Sequence, residues 1–597
     1  MLKQIVSSVA LTAVMTAGVS VLFTQDLSAA VYERKNHFQG SLGKVHLNPY
    51  KISPLTAVID RYGQEPTNIK VTVLGKPNGG RDITYNVSDA ALRNHDGVPV
   101  FGLYDDYINN VKVEMTLDGK RVVDHYKIRT NPFNARITDG RMDIKPKVKV
   151  TKVAKGFEDR LYAVTLMGNA DNKEWAWATP HHKTHGSGEW LEPAEIYLVD
   201  TQGEIRWYFD TNYFYDKYGR NIDDLGRIMS MHLTENGDLM FGQAQKYFRY
   251  SMMGEKSFSR KLPRGYVDLS HEVLPMKNGH TLLRVGKQNY HIPGTHDIAT
   301  TVRDIIIEVD AGGRLVQEWD FNKILGNNVF RKDLILALDA RAVCLNIDMN
   351  AKHIEIKHEA PYGDNTSTGT GRNWAHINSI SYDPSDDTII ASLRHQGIMK
   401  VGRDMKVKWI LASPQGWSKD MKAKILTPVS KNGKKLECKD NKCKNTDFDW
   451  SWTQHTAWLS PHGKNVGDIK TLSVFDNGDG RGMEQPAFKT DKYSRGVEYV
   501  IDEKNLTVKQ TWEFGKERGY DLYSPVTSNT QYETDTGTYQ MMFGDADLLT
   551  KKPTKGYIIE VDPKDNDIKV ELQLSNAKKP AVYYRAITVR PNKLFSY

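Results

Sequence analysis

The feature that most constrains this chain is a repeat. From about residue 155 a strand ends in an Asp or turn residue, a polar turn follows, and the next strand carries Trp or Leu. It runs Ile196-Tyr197-Leu198-Val199-Asp200 to Trp207, then Phe248-Arg249-Tyr250-Ser251-Met252, then Ile306-Ile307-Glu308-Val309-Asp310 to Trp319. Later copies are Met399 to Asp404 leading to Trp409, Glu498 to Asp502 leading to Trp512, and Ile558 to Asp562 leading to Leu572. The longer intervals from Asp310 to Asp404 and from Asp404 to Asp502 imply large loop insertions. Between copies lie second hairpins: Met231–Gln243, Glu272–Val285, Ile377–Leu393 and Ala457–Phe475. Two hairpins per period give four strands per unit, and units of roughly 40–50 residues or more predict a β-propeller. Six copies predict six blades; the competing reading is a stack of unrelated hairpins. The 29 Tyr, 12 Trp and 46 Gly suit aromatic-rich strands and glycine turns. A mean hydropathy of −0.55 excludes a multi-pass membrane protein. The net charge of +8 is dispersed, with no basic block that would indicate nucleic acid.

Ahead of the repeat, residues 44–130 alternate in short strands (Ile69–Val73, Val111–Met115, Val122–Ile128, with a turn at Asp118-Gly119), which suggests a β-sandwich. The expected division is 1–30 signal peptide, 31–150 sandwich and 151–597 six-bladed propeller, all-β throughout, with Lys145–Lys155 a linker or entering strand. Lys3, the apolar run Ile5–Phe23 and Ser28-Ala29-Ala30 have the form of an export signal, cleaved near Ala30. An uncleaved anchor is the alternative, since the run is nearly long enough to span. Export places the mature chain in an oxidising space. There Cys438 and Cys443, in a polar loop, read as a small-loop disulfide. Half of a zinc site is the alternative, but no second Cys pair follows. Cys344, within an apolar run, reads as a buried free thiol.

The histidines recur at one place. His271, His376 and His455 each begin an inner hairpin. In a propeller the first strand of each blade lines the central channel, so equivalent positions converge on the axis. The antiparallel return of the third hairpin brings Arg394 beside His376, and by the same logic Arg284 approaches His271. His232, closer to its turn, does not fit the spacing. Each His taken alone reads as a structural histidine; three at equivalent positions are harder to dismiss. Two chemistries fit. A histidine cluster can bind Zn, Cu or Fe. Alternatively, a neutral imidazole acts as nucleophile for an anionic group whose oxygens are stabilised by Arg and the other imidazoles.

The motifs Gly371–Ile380 (Gly-Arg-Asn-Trp-Ala-His-Ile-Asn-Ser-Ile), Arg394-His395-Gln396-Gly397, Thr453-Gln454-His455-Thr456-Ala457-Trp458, Phe475-Asp476-Asn477-Gly478-Asp479-Gly480-Arg481 and Gly515–Asp521 are together specific. Through them the chain resembles the bacterial periplasmic arylsulfate sulfotransferases, which use no nucleotide sulfate donor. The resemblance covers nearly the whole mature chain. It implies a six-bladed propeller with an N-terminal sandwich, a homodimer, a periplasmic location, no cofactor or metal, and no stable membrane anchor. It also implies transfer of a sulfuryl group from a phenolic sulfate donor to a phenol acceptor. By the same resemblance His455 is the nucleophile that becomes sulfated, with His271, His376 and Arg394 also catalytic, Asn378 and Thr527 substrate-binding, and the Cys438/Cys443 pair shared. Two rivals remain besides a metal-dependent lyase or oxidoreductase. One is a propeller used only as a binding scaffold. The other is a sulfatase, but Cys344 is followed by Leu-Asn-Ile and lacks the C/S-x-P-x-R pattern.

Overall fold

A computed structural model describes residues 40–133, 145–169, 195–210, 228–292 except 244, 296–326, 375–483 except 440, 492–575 except 549 and 551, and 581–596. The proposed signal peptide, Cys344 and the Gly371–Trp374 half of one motif lie outside these residues.

The chain divides into two units: Met1–Pro49, Ser53–Asn134 and Pro591–Tyr597 in the smaller, Tyr50–Ile52 and Ala135–Arg590 in the larger. The smaller is a sandwich of two antiparallel sheets. Three strands (Val45–Leu47, Thr56–Asp60, Gly97–Phe101) form one; four (Ile83–Val87, Thr67–Val73, Ile108–Leu117, Lys120–Arg129) form the other. The alternation read at Ile69–Val73 buries Ile69, Val71 and Val73. The boundaries differ from the expected split at 150. Lys147–Val153 pairs with Ile568–Ser575 and so belongs to the larger unit. The last residues belong to the smaller: Phe595 accepts the Ser88 amide at 2.8 Å and its ring lies 4.9 Å from that of Tyr85.

The described residues of the larger unit form six sheets that each contain four successive antiparallel strands, the layout of a β-propeller; three carry a fifth strand (Tyr266–Val267, Thr427–Pro428 or Lys147–Val153), and a two-stranded turn stands apart. The first runs Met231–Leu233, Leu239–Gln243, Lys246–Tyr250, Lys256–Lys261. The second has Val273–Pro275, Thr281–His291, Ile298–Val309 and Leu315–Asp320; the third Ile377–Asp383, Thr388–Leu393, Gly397–Val401 and Val407–Leu411. The fourth has Thr456–Leu459, Ile469–Asp476, Arg495–Asp502 and Thr507–Phe514; the fifth Asn529–Glu533, Thr538–Ala546, Lys555–Val561 and Ile568–Ser575. The sixth joins both ends of the unit: inner strand Ala581–Val589, then Leu161–Asn169, Glu195–Asp200 and Ile205–Tyr208. Neighbouring sheets are bonded in succession. His232 meets Glu272, the Ile380 amide donates to Glu272, the Ala457 amide to Ser379, the Thr530 amide to Thr456, and Asn529 pairs with Ala586. The Trp207 indole, bonded to the Met252 carbonyl, closes the circle.

The repeat has a physical reading. The Asp carboxylate caps its own turn: Asp200 accepts the amides of Gln202 and Glu204, Asp310 those of Gly312 and Arg314. In the third sheet the equivalent turn starts at Gly402, whose amide donates to Lys406, so Asp404 sits two residues past the position of Asp200. Asp404 still caps, through the Lys406 amide. The Trp is a staple between sheets. Trp319 Nε1 donates to the Gly402 carbonyl at 2.9 Å, Trp409 to Glu503 at 2.7 Å and Trp512 to Asn566 at 2.7 Å, each on the following sheet. The Cys438–Cys443 disulfide expected from the sequence closes a two-stranded turn.

Trp319→Phe would remove the indole N–H, leaving the buried Gly402 carbonyl without its donor and part of the indole's space empty. The expected cost is at least about 1–3 kcal/mol in urea unfolding, with far-UV circular dichroism unchanged. A change below about 0.5 kcal/mol would show that the indole contributes neither its bond nor its packing.

Candidate functional site

Inner strands deliver the site. His376 and His455 immediately precede the inner strands of the third and fourth sheets. His271 stands two residues before Val273, where Glu272 takes the adjacent seat. The backbone turns alike at both places: His271 has φ 67° and His376 φ 50°, in the left-handed region that side chains rarely occupy. The fifth sheet sends Thr527, at φ 58°, from the corresponding place. Such strain at a buried cluster is characteristic of sites whose geometry the surroundings over-determine.

Two of the three imidazoles touch, and the third joins them through a tyrosine. The His271 and His376 rings lie 5.0 Å apart, edge to face. Tyr584, from the inner strand of the sixth sheet, stands between His271 at 6.1 Å and His455 at 6.2 Å. His395 packs 5.0 Å from His376. Arg394 starts beside His376, its amide donating to the His376 carbonyl. Its guanidinium crosses to the fourth sheet, donating to the Thr453 carbonyl at 2.7 Å and the Pro525 carbonyl at 2.9 Å, with Nη1 3.4 Å from His455 Nδ1. Asp479 lies 3.5 Å from Nη2. Arg284 does approach His271: both contact Ser270 Oγ at 2.8 Å. Nε and Nη2 of Arg284 are buried without a hydrogen-bond partner among the described residues, as are Asn378 Oδ1 and Thr527 Oγ1. Unfilled polar groups around one cluster are what a ligand with several oxygens would satisfy.

His455 is held at both nitrogens. Nδ1 faces Asn477 Oδ1 at 2.8 Å, and the Thr527 amide donates to Nε2 at 3.1 Å. Thr527 is packed against Gly544, where a Cβ would fall 2.0 Å from the Tyr583 carbonyl and 2.4 Å from Thr527 Oγ1. His271, His376, His455 and Arg394 are each at most 3% exposed. Burial, reinforced by neighbouring guanidinium and imidazole groups, pushes all three imidazoles well below their ordinary range, so they are neutral near pH 7. For His455 the largest charged contributor is Arg394; for His271 it is Arg284.

The structure thus brings together His271, His376, His455, Arg394, Asn378 and Thr527. It adds residues the sequence reading did not single out: Tyr584, Arg585, and Asn477 as a partner of His455. Arg585 pairs with buried Glu272 at 2.9 Å and donates to the Asn378 carbonyl at 2.8 Å. The sixth inner strand carries no His, so histidine spacing could not reveal Tyr584 or Arg585. His232, set aside on spacing, bonds Glu272 at 2.7 Å. The imidazoles do not form a metal-ligand set. Among the described residues, the His, Cys, Asp and Glu donors that lie within 4.8 Å of one another are those of Asp383, Asp386 and Glu503. Lys400 Nζ is within 3.2 Å of all three carboxylates.

Comparison with known proteins agrees with this layout. Residues 147–585 match the family model described as arylsulfotransferase, and residues 44–131 match the arylsulfotransferase Ig-like domain. The arylsulfate sulfotransferase AssT of Escherichia coli O6:H1 is 44% identical over 573 residues, covering 93% of this chain and 94% of the relative. The protein of the same name from Lelliottia amnigena gives the same identity and coverage. Among solved structures, the WD40 domain of SCAP from fission yeast covers 76% of this chain and 96% of its own at 7% identity and a TM-score of 0.27, too distant to bear on the site.

Neutral buried histidines set a pH dependence of stability. Below an ordinary imidazole value of about 6.5 the unfolded chain binds protons that the folded site refuses, so stability falls as pH falls. Each such histidine contributes up to about 1.4 kcal/mol per pH unit. The melting temperature is expected to drop between pH 6.5 and 5.5, and His376→Gln to flatten that drop. An unchanged slope in the variant would mean that His376 is protonated in the fold.

Proposed function

This chain belongs to the arylsulfotransferase family, and on that premise we propose that it moves a sulfuryl group from a phenolic sulfate to a phenol in two steps through His455. It is a sulfotransferase enzyme acting on aryl sulfates. The observation that carries the two-step reading is His455 itself: neutral, buried, and fixed in orientation beside Arg394.

In the first step the Nε2 lone pair bonds sulfur while the sulfur–oxygen bond to the ring breaks, its electron pair leaving on the phenolate oxygen. For this the Thr527 amide must release Nε2, which frees that N–H for a sulfuryl oxygen. Arg394 and Arg284 face the remaining oxygens, and their effect is large because water is excluded. The N–H groups of the neutral His271 and His376 can hydrogen-bond the departing phenolate oxygen, which leaves as the anion and takes its proton from water after release; one of these imidazoles then accepts the proton of the incoming phenol as its oxygen attacks. In the second step that phenol oxygen attacks sulfur and the bond to Nε2 breaks. Tyr584, edge-on to His271 and His455, is positioned to border the substrate ring. Close burial also favours transfer over hydrolysis, since a covalent intermediate shielded from water waits for a phenol. In the same reading the enzyme needs no metal or cofactor, loses residues 1–30 on export to the periplasm, carries no stable membrane anchor, and works as a homodimer.

Brief incubation with 4-nitrophenyl sulfate without acceptor, followed by intact-mass measurement, is expected to show one added sulfuryl group that disappears on adding phenol and is absent in His455→Ala. Full transfer by wild type with no adduct at any time would overturn the covalent step.

A further inference from the structure

Asn477 sits in the motif Phe475–Arg481, which the mechanism above leaves without a role. The turn is held rigidly. Asp476 accepts the Trp452 amide at 2.8 Å and pairs with Arg495 at 2.9 Å and Arg481 at 3.0 Å. Gly478 has φ 75°, and a Cβ there would fall 2.1 Å from the Tyr493 carbonyl, so both conformation and space demand glycine. Between these anchors the Asn477 side chain is fully buried.

Its orientation is determined by donors and acceptors. Asn477 Nδ2 donates to the Ser524 carbonyl at 2.8 Å and the Thr527 carbonyl at 3.1 Å. Two carbonyls on one side require the NH2 there, which turns Oδ1 toward His455 Nδ1. An amide oxygen only accepts, so at 2.8 Å from it Nδ1 carries the proton, and the 3.4 Å approach of Arg394 Nη1 to Nδ1 is then a charge contact rather than a hydrogen bond. Nε2 then holds the free lone pair, which is why a backbone amide can donate to it.

We propose that Asn477 is the positioning residue that fixes His455 as the Nδ1–H tautomer and keeps that proton in place through the reaction. The role rests on His455 being the nucleophile. When Nε2 bonds sulfur, the ring retains Nδ1–H and becomes a sulfo-imidazolium. That cation is the activated form, because neutral imidazole leaves when the second phenol attacks. A carboxylate in place of Asn477 would stabilise the cation and draw on its proton, making the group harder to pass on. A neutral amide orients the ring without doing so. The same residue ties the Thr527 loop, through its carbonyl, to the ring that the Thr527 amide touches.

The test joins a spectroscopic and a kinetic measurement. In 15N-histidine-labelled wild type, the His455 resonance, assigned by its loss in His455→Ala, is expected to report Nδ1 protonated and Nε2 bare. An Nε2–H tautomer would overturn the proposal whatever His455 does in catalysis. Asn477→Ala is expected to mix the tautomers and lower kcat about ten- to hundredfold with KM within about threefold, by analogy with the loss seen when the partner that orients a metal-ligating histidine is removed. Asn477→Asp keeps the accepting oxygen. It is expected to shift the acid limb of the kcat–pH profile upward and, at alkaline pH, to slow release of the sulfuryl group to phenol more than its uptake from the donor. Wild-type kcat and pH profile in both variants would overturn the proposal. Should the adduct of wild type never form while the Nδ1–H tautomer is observed, the nucleophile assignment fails and the tautomer assignment stands.

Discussion

An indole N–H from the outer strand of one sheet reaches a polar group on the next at Trp207, Trp319, Trp409 and Trp512, and these bonds fix four of the six junctions between neighbouring sheets. Everything at the axis depends on how each sheet follows its neighbour. No two of the three histidines share a sheet. Their rings gather only because the inner strands begin at a common place around the circle. A hydrogen bond tolerates a few tenths of an ångström, as does a nucleophile that must stand in line with a bond it breaks. The staples also hold where the sequence varies: the acceptor is a carbonyl in two cases, a carboxylate in one and a side-chain amide in one. The donor is what repeats, and a buried donor needs a partner more than it needs a particular one.

That distinction explains what the sequence disclosed. The Asp and Trp of the outer hairpin were legible because each acts at a fixed distance along the chain, capping its own turn or reporting the strand after it. The histidines were legible because inner strands start alike. The offset of His271 by one residue was not, since the extra residue, Glu272, is held by contacts with other sheets that leave no mark along the chain. Nor was the start of the third sheet's turn at Gly402, because Asp404 caps from a different seat. The strand Lys147–Val153 could be placed only by its partner more than 400 residues on. Tyr584 and Arg585 belong to an inner strand with no histidine to signal it. Asn477 was visible as part of a motif, but its work is a contact across a sheet and a loop.

Burial at the axis does two things that pull against each other. It removes the imidazole charge, which nucleophilic attack requires, and it makes every remaining polar group costly unless paired. The chain meets the second demand largely with its own carbonyls and carboxylates. Arg394 is tied to the carbonyls of Thr453 and Pro525, and Arg585 to Glu272. Arg284 Nη1 pairs with Asp268 and Ser270, but its other two nitrogens have no hydrogen-bond partner among the described residues. A guanidinium left in that state disfavours the empty site and is relieved when an anion arrives, so part of the binding energy is realised only with a ligand whose oxygens reach it.

The same economy bears on why, in the proposed mechanism, a histidine rather than a serine or cysteine would take the group. A hydroxyl or thiol must lose its proton to attack, and a neighbouring base must hold it in a site where a new charge is expensive. A neutral imidazole attacks with a lone pair it already has and becomes a cation just as the anionic SO3 joins it, so charge at the ring and charge on the oxygens arise together and offset one another. The site's fixed cations need then balance only the transferring oxygens. With Asn477 neutral, no carboxylate among the described residues contacts the His455 ring, and in the proposed mechanism the sulfuryl group rests on a leaving group whose departure restores the ground state of the site without any proton moving at His455.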